Sequence, residues 1–165
     1  FFECESLSKI NFDKFDSSKV SSMSGLFQGC INLSSINFAS FNTPKVLTMN
    51  NMFSCCFKLS RLDLHNFDTK NVINMGKMFF YCEALSSLNI SGFKTDNLTN
   101  MENMFYQCKS LKELNLSSLN TSKVTDMNGL FANCESLTKL NIREDLSNLS
   151  QINLKTSAVH AYGKC

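Results

Sequence analysis

Six cysteines, Cys4, Cys30, Cys56, Cys82, Cys108 and Cys134, follow one another at a constant interval of 26 residues, with no insertion or deletion. Self-similarity at a fixed short period means that one small unit is laid repeatedly against its own copies. Aligned on the cysteine, the units read C-x-x-L-x-x-(L/I)-(N/D)-(L/I/F)-x-x-F-x-(T/S)-x-x-V-x-x-M-x-x-(M/L)-F-x-x. The apolar columns are kept in every copy: Leu33, Leu59, Leu85 and Leu111 in one, Ile36, Leu62, Leu88 and Leu114 in the next, Met49, Met75, Met101 and Met127 further on.

Two periods coexist inside one unit. Ile36 and Phe38 flank Asn37, the alternation of a short strand with one face inward. Val46, Met49, Met52, Phe53 and Cys56 lie at offsets of 0, 3, 6, 7 and 10, which predicts one side of a helical or 3₁₀ segment. Pro44, the only proline, follows Thr43 at the predicted helix start, and the column Ser17, Thr43, Thr69, Thr95, Thr121 then supplies N-caps or turn formers. An exposed hydroxyl array that binds sugar or ice is the other reading of that column. A helix this short cannot stand alone in water, so the units have to stack at the strand spacing of ~4.8 Å. The expected fold is an α/β repeat, a solenoid with a parallel β-sheet on one face and short helices or 3₁₀ segments on the other.

Net charge is +2, and lysines and carboxylates are scattered, so there is no basic stripe for nucleic acid or anionic lipid. No apolar run approaches a membrane span. Six of the eight cysteines occupy a core column, where a free thiol acts as a small hydrophobe and parallel side-chain directions disfavour pairing. Cys55 shares its column with Gly29, Tyr81, Gln107 and Asn133 and is placed in a more exposed turn; Cys55 and Cys165 are the candidates for reactive thiols or an intermolecular bridge. His65 and His160 stand far apart, and there is no metal-ligand spacing and no phosphate loop, so neither catalysis nor a metal or other cofactor is expected.

Phe1 corresponds to Phe27, so the chain is expected to start inside a repeat and to be a piece of something longer. The pattern fails after Ile142. Residues 1–142 are therefore read as tandem 26-residue repeats and 143–165 as a C-terminal cap and tail.

The phrase Leu33-Ser-Ser-Ile36-Asn-Phe38 is an L-x-x-L-x-L strand, and Val-x-x-Met-x-x-Met-Phe-x-x-Cys-x-x-Leu flanks it. Together they resemble the BspA-like leucine-rich repeat in the 26-residue variety of mycoplasma-type surface lipoproteins. Leu98 in place of valine, Leu119 in place of phenylalanine and the doubled Cys55-Cys56 depart from the pattern without threatening the fold. The resemblance implies a cell-surface or secreted adhesion module that contacts a host or cell-surface protein or glycan. It would touch a membrane only through an anchor outside this fragment. A structural spacer that extends other domains from the surface is the alternative.

On such a scaffold the exposed columns are free to vary. The candidate binding face is the outer strand surface, carrying Asn37, Arg61, Asp63, His65, Asn89, Glu113, Asn115, Lys139 and Asn141. Its middle column is asparagine in every unit but one, and the bland expectation for it is a ladder of stacked amides. Asp63 interrupts that column in the one unit where Arg61 and His65 also replace small polar residues. That charged spot is the sharpest candidate contact.

Overall fold

The computed structural model describes residues 1–142. The cap, the tail, Cys165 and His160 lie outside the described residues. Each unit contributes one three-residue strand: β1 (Lys9–Asn11), β2 (Ser35–Asn37), β3 (Arg61–Asp63), β4 (Ser87–Asn89), β5 (Glu113–Asn115) and β6 (Lys139–Asn141). The central residue of each points inward and its two neighbours outward, as the alternation predicts. Pairing is parallel and in register, so that Ile10 faces Ile36, Leu62 faces Leu88 and Leu114 faces Leu140.

The second half of the unit departs from expectation. Among the described residues there is no helix. Instead, the N–H groups of Met23, Gly25, Phe27 and Gly29 donate to the carbonyl oxygens of Thr48, Asn50, Met52 and Ser54 on the next rung, at 2.9 to 3.0 Å. The intervening N–H groups turn back locally, from Leu26 to Met23, Gln28 to Gly25 and Cys30 to Phe27. Half of the donors are thus spent between rungs, and an α-helix would need all of them within its own segment. What results is a run of successive turns, and the same scheme recurs through Gln107, which donates to Ala132 at 2.9 Å.

The turns require a left-handed backbone at two positions per unit. They are filled by Gly25, Asn51, Lys77, Asn103 and Gly129, and by Gly29, Cys55, Tyr81, Gln107 and Asn133. No β-branched residue occurs there, since a branched Cβ tolerates that region least. Parallel bridges join Ser22, Thr48, Asn74, Asn100 and Asp126 in an unbroken line on this side.

Between the two sides lies a core of stacked columns. Phe1, Phe27, Phe53, Phe79, Phe105 and Phe131 form a continuous pile, with centroids 5.4 to 5.7 Å apart and planes within 11° of parallel. Burial of each ring from Phe27 to Phe131 contributes ~2–3 kcal/mol, while Phe1 is half exposed. The repeated cysteine has a polar task as well as a packing one. The thiols of Cys56, Cys82 and Cys108 donate to the carbonyl oxygens of Phe27, Phe53 and Phe79 at 3.1 to 3.2 Å. All six column cysteines are free.

The threonine column is neither a row of N-caps nor an exposed array. Ser17, Thr43, Thr69, Thr95 and Thr121 are buried. The Thr69 hydroxyl donates to the Lys94 carbonyl at 2.9 Å and accepts the Lys94 N–H at 2.8 Å, and Thr95 does the same with Asn120. The hydroxyls of Ser17, Thr43, Thr69 and Thr95 each staple their rung to the next.

Candidate functional site

On the strand side the rungs are not evenly joined. Strands pair as β1–β2, β3–β4 and β5–β6, with no ladder between β2 and β3 or between β4 and β5. At the closed junctions the N–H groups of Phe12, Leu64 and Leu116 donate to Asn37, Asn89 and Asn141 across the pair. The corresponding N–H groups of Phe38 and Ile90 make no such bond. The column at the strand exit follows this alternation only in part, since Asn66 Nδ2 donates to the Ala39 carbonyl oxygen at 3.4 Å across the β2–β3 junction. Gly92 lets the chain pass directly beneath His65, where a Cβ would collide with the His65 carbonyl oxygen. Ser40 closes the first junction by donating to the Phe12 carbonyl at 2.7 Å, whereas the Ser118 hydroxyl beside the β4–β5 seam is buried without a partner.

The β2–β3 seam opens into a depression of about 550 Å³ lined by Ser34, Ser35, Ile36, Ser60, Arg61, Leu62, Asp63, Ser87 and Asn89. Three of the residues singled out from the sequence, Arg61, Asp63 and Asn89, therefore meet at one place. Asp63 accepts from His65 twice, from Nδ1 at 2.8 Å and from the backbone N–H at 3.1 Å. Partial burial pushes its carboxyl upward, but the hydrogen bonds and charge of His65 and the Asn89 amide outweigh that and hold it below the usual carboxylate range. Arg61 has no ion-pair or hydrogen-bond partner among the described residues.

The remaining candidates are spread along the stack. Glu113 and Lys139 are joined across β5 and β6 at 3.2 Å in full solvent, so they occupy each other. The asparagine column is not an amide ladder. The Asn37, Asn89 and Asn115 side-chain oxygens accept the N–H two residues on, at 2.9 to 3.2 Å, and so form the corner that ends each strand. Asp63 makes the same corner with His65. Asn37 also donates to Asp13 at 2.8 Å, and Asn141 stands at the last described strand.

Cys55 is also placed differently from expectation. It is buried, in a left-handed turn position, with its Sγ 3.6 Å from the Ser54 hydroxyl. Burial pushes the column thiols up, Cys134 to about 11 and Cys56, Cys82 and Cys108 further. Sequence reasoning missed the seams altogether. The only signal for them is the uneven column of Ser40, Asn66, Gly92 and Ser118, in which glycine marks a junction drawn tight.

Stacked 26-residue rungs with parallel strands on one side and a variable polar strand face define a repeat protein. The chain belongs to the family described as "Mycoplasma protein of unknown function, DUF285", whose model matches residues 1–88 and again 56–162. That match bears out the resemblance to the mycoplasma-type repeat. No curated protein matches the chain. Among solved structures it is similar to a leucine-rich cell surface protein from Faecalibacterium prausnitzii A2-165, at 18% identity and a TM-score of 0.30. The alignment covers 94% of this chain and 65% of the other, so the chain spans less than two thirds of that protein's length.

Proposed function

We propose that the chain is a non-enzymatic binding module of a cell-surface or secreted protein, a leucine-rich-repeat solenoid that presents its strand face to a protein or glycan. The observation that carries this reading is the coincidence of two irregularities. The one unit in which the Ser/Asn surface becomes Arg61, Asp63 and His65 is also the unit at which the strand ladder opens into a depression. Irregularity in both sequence and geometry is what a contact site needs and what a uniform spacer lacks. The cell-surface placement rests on the resemblance of the repeat phrase. Absence of catalysis is supported by the thiols, since Cys56, Cys82 and Cys108 are buried, hydrogen-bonded to carbonyls and held protonated.

Adhesion to surfaces coated with mucin-type glycoprotein or with extracellular-matrix protein tests the reading. The double variant Arg61→Ala with Asp63→Ala is expected to lose adhesion. Leu47→Ser with Ile73→Ser, which alters two exposed apolar residues on the turn side, is expected to keep it. No adhesion by the intact chain, or adhesion indifferent to the strand-face pair, rejects the binding module in favour of the spacer.

A further inference from the structure

We infer that the β2–β3 depression is a subsite for a carboxylate-bearing sugar, with Arg61 anchoring the carboxylate and the surrounding Ser, Asp and Asn side chains receiving the ring hydroxyls. This inference rests on the binding-module reading and names the ligand class of the same face.

The lining decides the ligand chemistry. Arg61 is a guanidinium with no carboxylate of its own, exposed at the wall of a concave site. Its planar fork matches one carboxylate through two parallel hydrogen bonds. A dianionic phosphate or sulfate fits less well. The depression has one cation, and Asp63, held ionised by His65, would repel a second negative charge.

Asp63 is instead an acceptor for a hydroxyl, as carboxylates are once ionised. The hydroxyls of Ser35, Ser60 and Ser87 have no hydrogen-bond partner among the described residues, so each can both give and take a bond. This density of small donors and acceptors suits a polyol ring.

A protein anchor asks for something else. Protein hot spots seat an aromatic or long aliphatic side chain in a desolvated pocket. The residues around this depression are mainly serines and charged or amide groups, with no aromatic among them. The apolar contribution comes from the floor, where Ile36 and Leu62 turn inward from their strands. Ile36 is half-buried and Leu62 buried, so this contribution is small and the polar groups dominate the lining.

The test titrates the intact chain with a glucuronate-terminated disaccharide and with its glucose-terminated counterpart, followed by ligand-observed NMR. Saturable binding of the acidic sugar is expected, with affinity lower by about tenfold or more for the neutral one and for Arg61→Ala, given the strength of a charge-assisted pair. Arg61→Lys should keep part of the binding, and Lys9→Ala, on β1 away from the depression, should change nothing. Arg61 is exposed, so an unchanged thermal melt confirms that the variant is folded.

Several results overturn the inference: no saturable binding, equal affinity for acidic and neutral sugars, indifference to Arg61→Ala, or displacement of the sugar by an Asp/Glu peptide at equal concentration. If adhesion still depends on Arg61 and Asp63 while the acidic sugar fails, only the ligand class is wrong. If adhesion itself fails, the binding-module reading goes with it.

Discussion

The two sides of the stack solve the same problem differently. On the turn side, parallel bridges run without a break from Ser22 to Asp126, with at least five cross-rung N–H bonds per junction. On the strand side the ladder is interrupted twice. The side that looks most like regular secondary structure in the sequence is the one more loosely joined. A run of turns that commits alternate donors to the next rung is a stronger seam than three-residue strands. The contrast also separates roles, because the evenly bonded side has little freedom to vary and the interrupted side carries the charged irregularity at Arg61, Asp63 and His65.

The sharpest way to test that division is to damage the shared core. Phe79→Ala removes one ring from the middle of the phenylalanine pile and is expected to cost about 3–5 kcal/mol in denaturant unfolding. A loss under about 1 kcal/mol would mean that the pile does not bind the two sides together.

Alkaline pH should weaken the stack through the thiols. Their folded pKa values stand above the ordinary thiol value, so the folded chain keeps protons that the unfolded chain releases. The stabilisation is complete below about pH 8.5 and is lost as pH rises, through about 11 for Cys134 and beyond that for the deeper thiols. The slope is up to about 1.4 kcal/mol per pH unit for each titrating thiol. Thermal melts between pH 8 and pH 11 would show it, and a flat profile would mean that the thiols are open to solvent.

Smaller effects come from the staples. Thr69→Val deletes a buried hydroxyl that both gives and takes a bond with Lys94, leaving that backbone unsatisfied, at a cost of about 1–3 kcal/mol. Thr125→Val, on an exposed hydroxyl bonded to Thr99, is expected to cost under about 1 kcal/mol. Equal costs would erase the distinction between buried and exposed junctions.

Native-state hydrogen exchange compares the sides directly. The Met49 and Phe53 amides, bonded across the turn-side junction, should exchange at least about tenfold more slowly than those of Phe38 and Ile90 at the strand seams. Faster exchange at Met49 would reverse the comparison. The least effect is expected at Arg61→Ala, within about 0.5 kcal/mol of the native stability, since the side chain is exposed and unpaired.

Much of this architecture was legible because the period is rigid. The three-residue strands at Ser35–Asn37 and its counterparts, the inward Leu and Met columns and the free buried cysteines follow from the alignment of the units. The helix did not follow. Offsets of 0, 3, 6, 7 and 10 put Val46, Met49, Met52, Phe53 and Cys56 on one side of a helix, but a run of turns that buries every third or fourth residue produces the same spacing. The sign against a helix was the glycine and asparagine at Gly25, Asn51, Asn103 and Gly129, residues that tolerate a left-handed backbone.

Of the candidate face, the charged cluster was legible and its surroundings were not. Arg61, Asp63 and His65 declare themselves by breaking a column. That Asn37, Asn89 and Asn115 close corners, and that Glu113 and Lys139 pair, depends on how strand ends meet.

By itself the sequence determined the repeat length, the strand positions, the composition of the core and the unit in which the surface changes character. Those features are fixed by periodicity, which the chain carries in one dimension. Only the tertiary structure decided where hydrogen-bond donors go, because a backbone N–H can close a local turn or reach the next rung with no change in the side chains that flank it. That choice turned the predicted helices into turns, gave the repeated cysteine a carbonyl to hold, and placed Arg61 at an opening between β2 and β3.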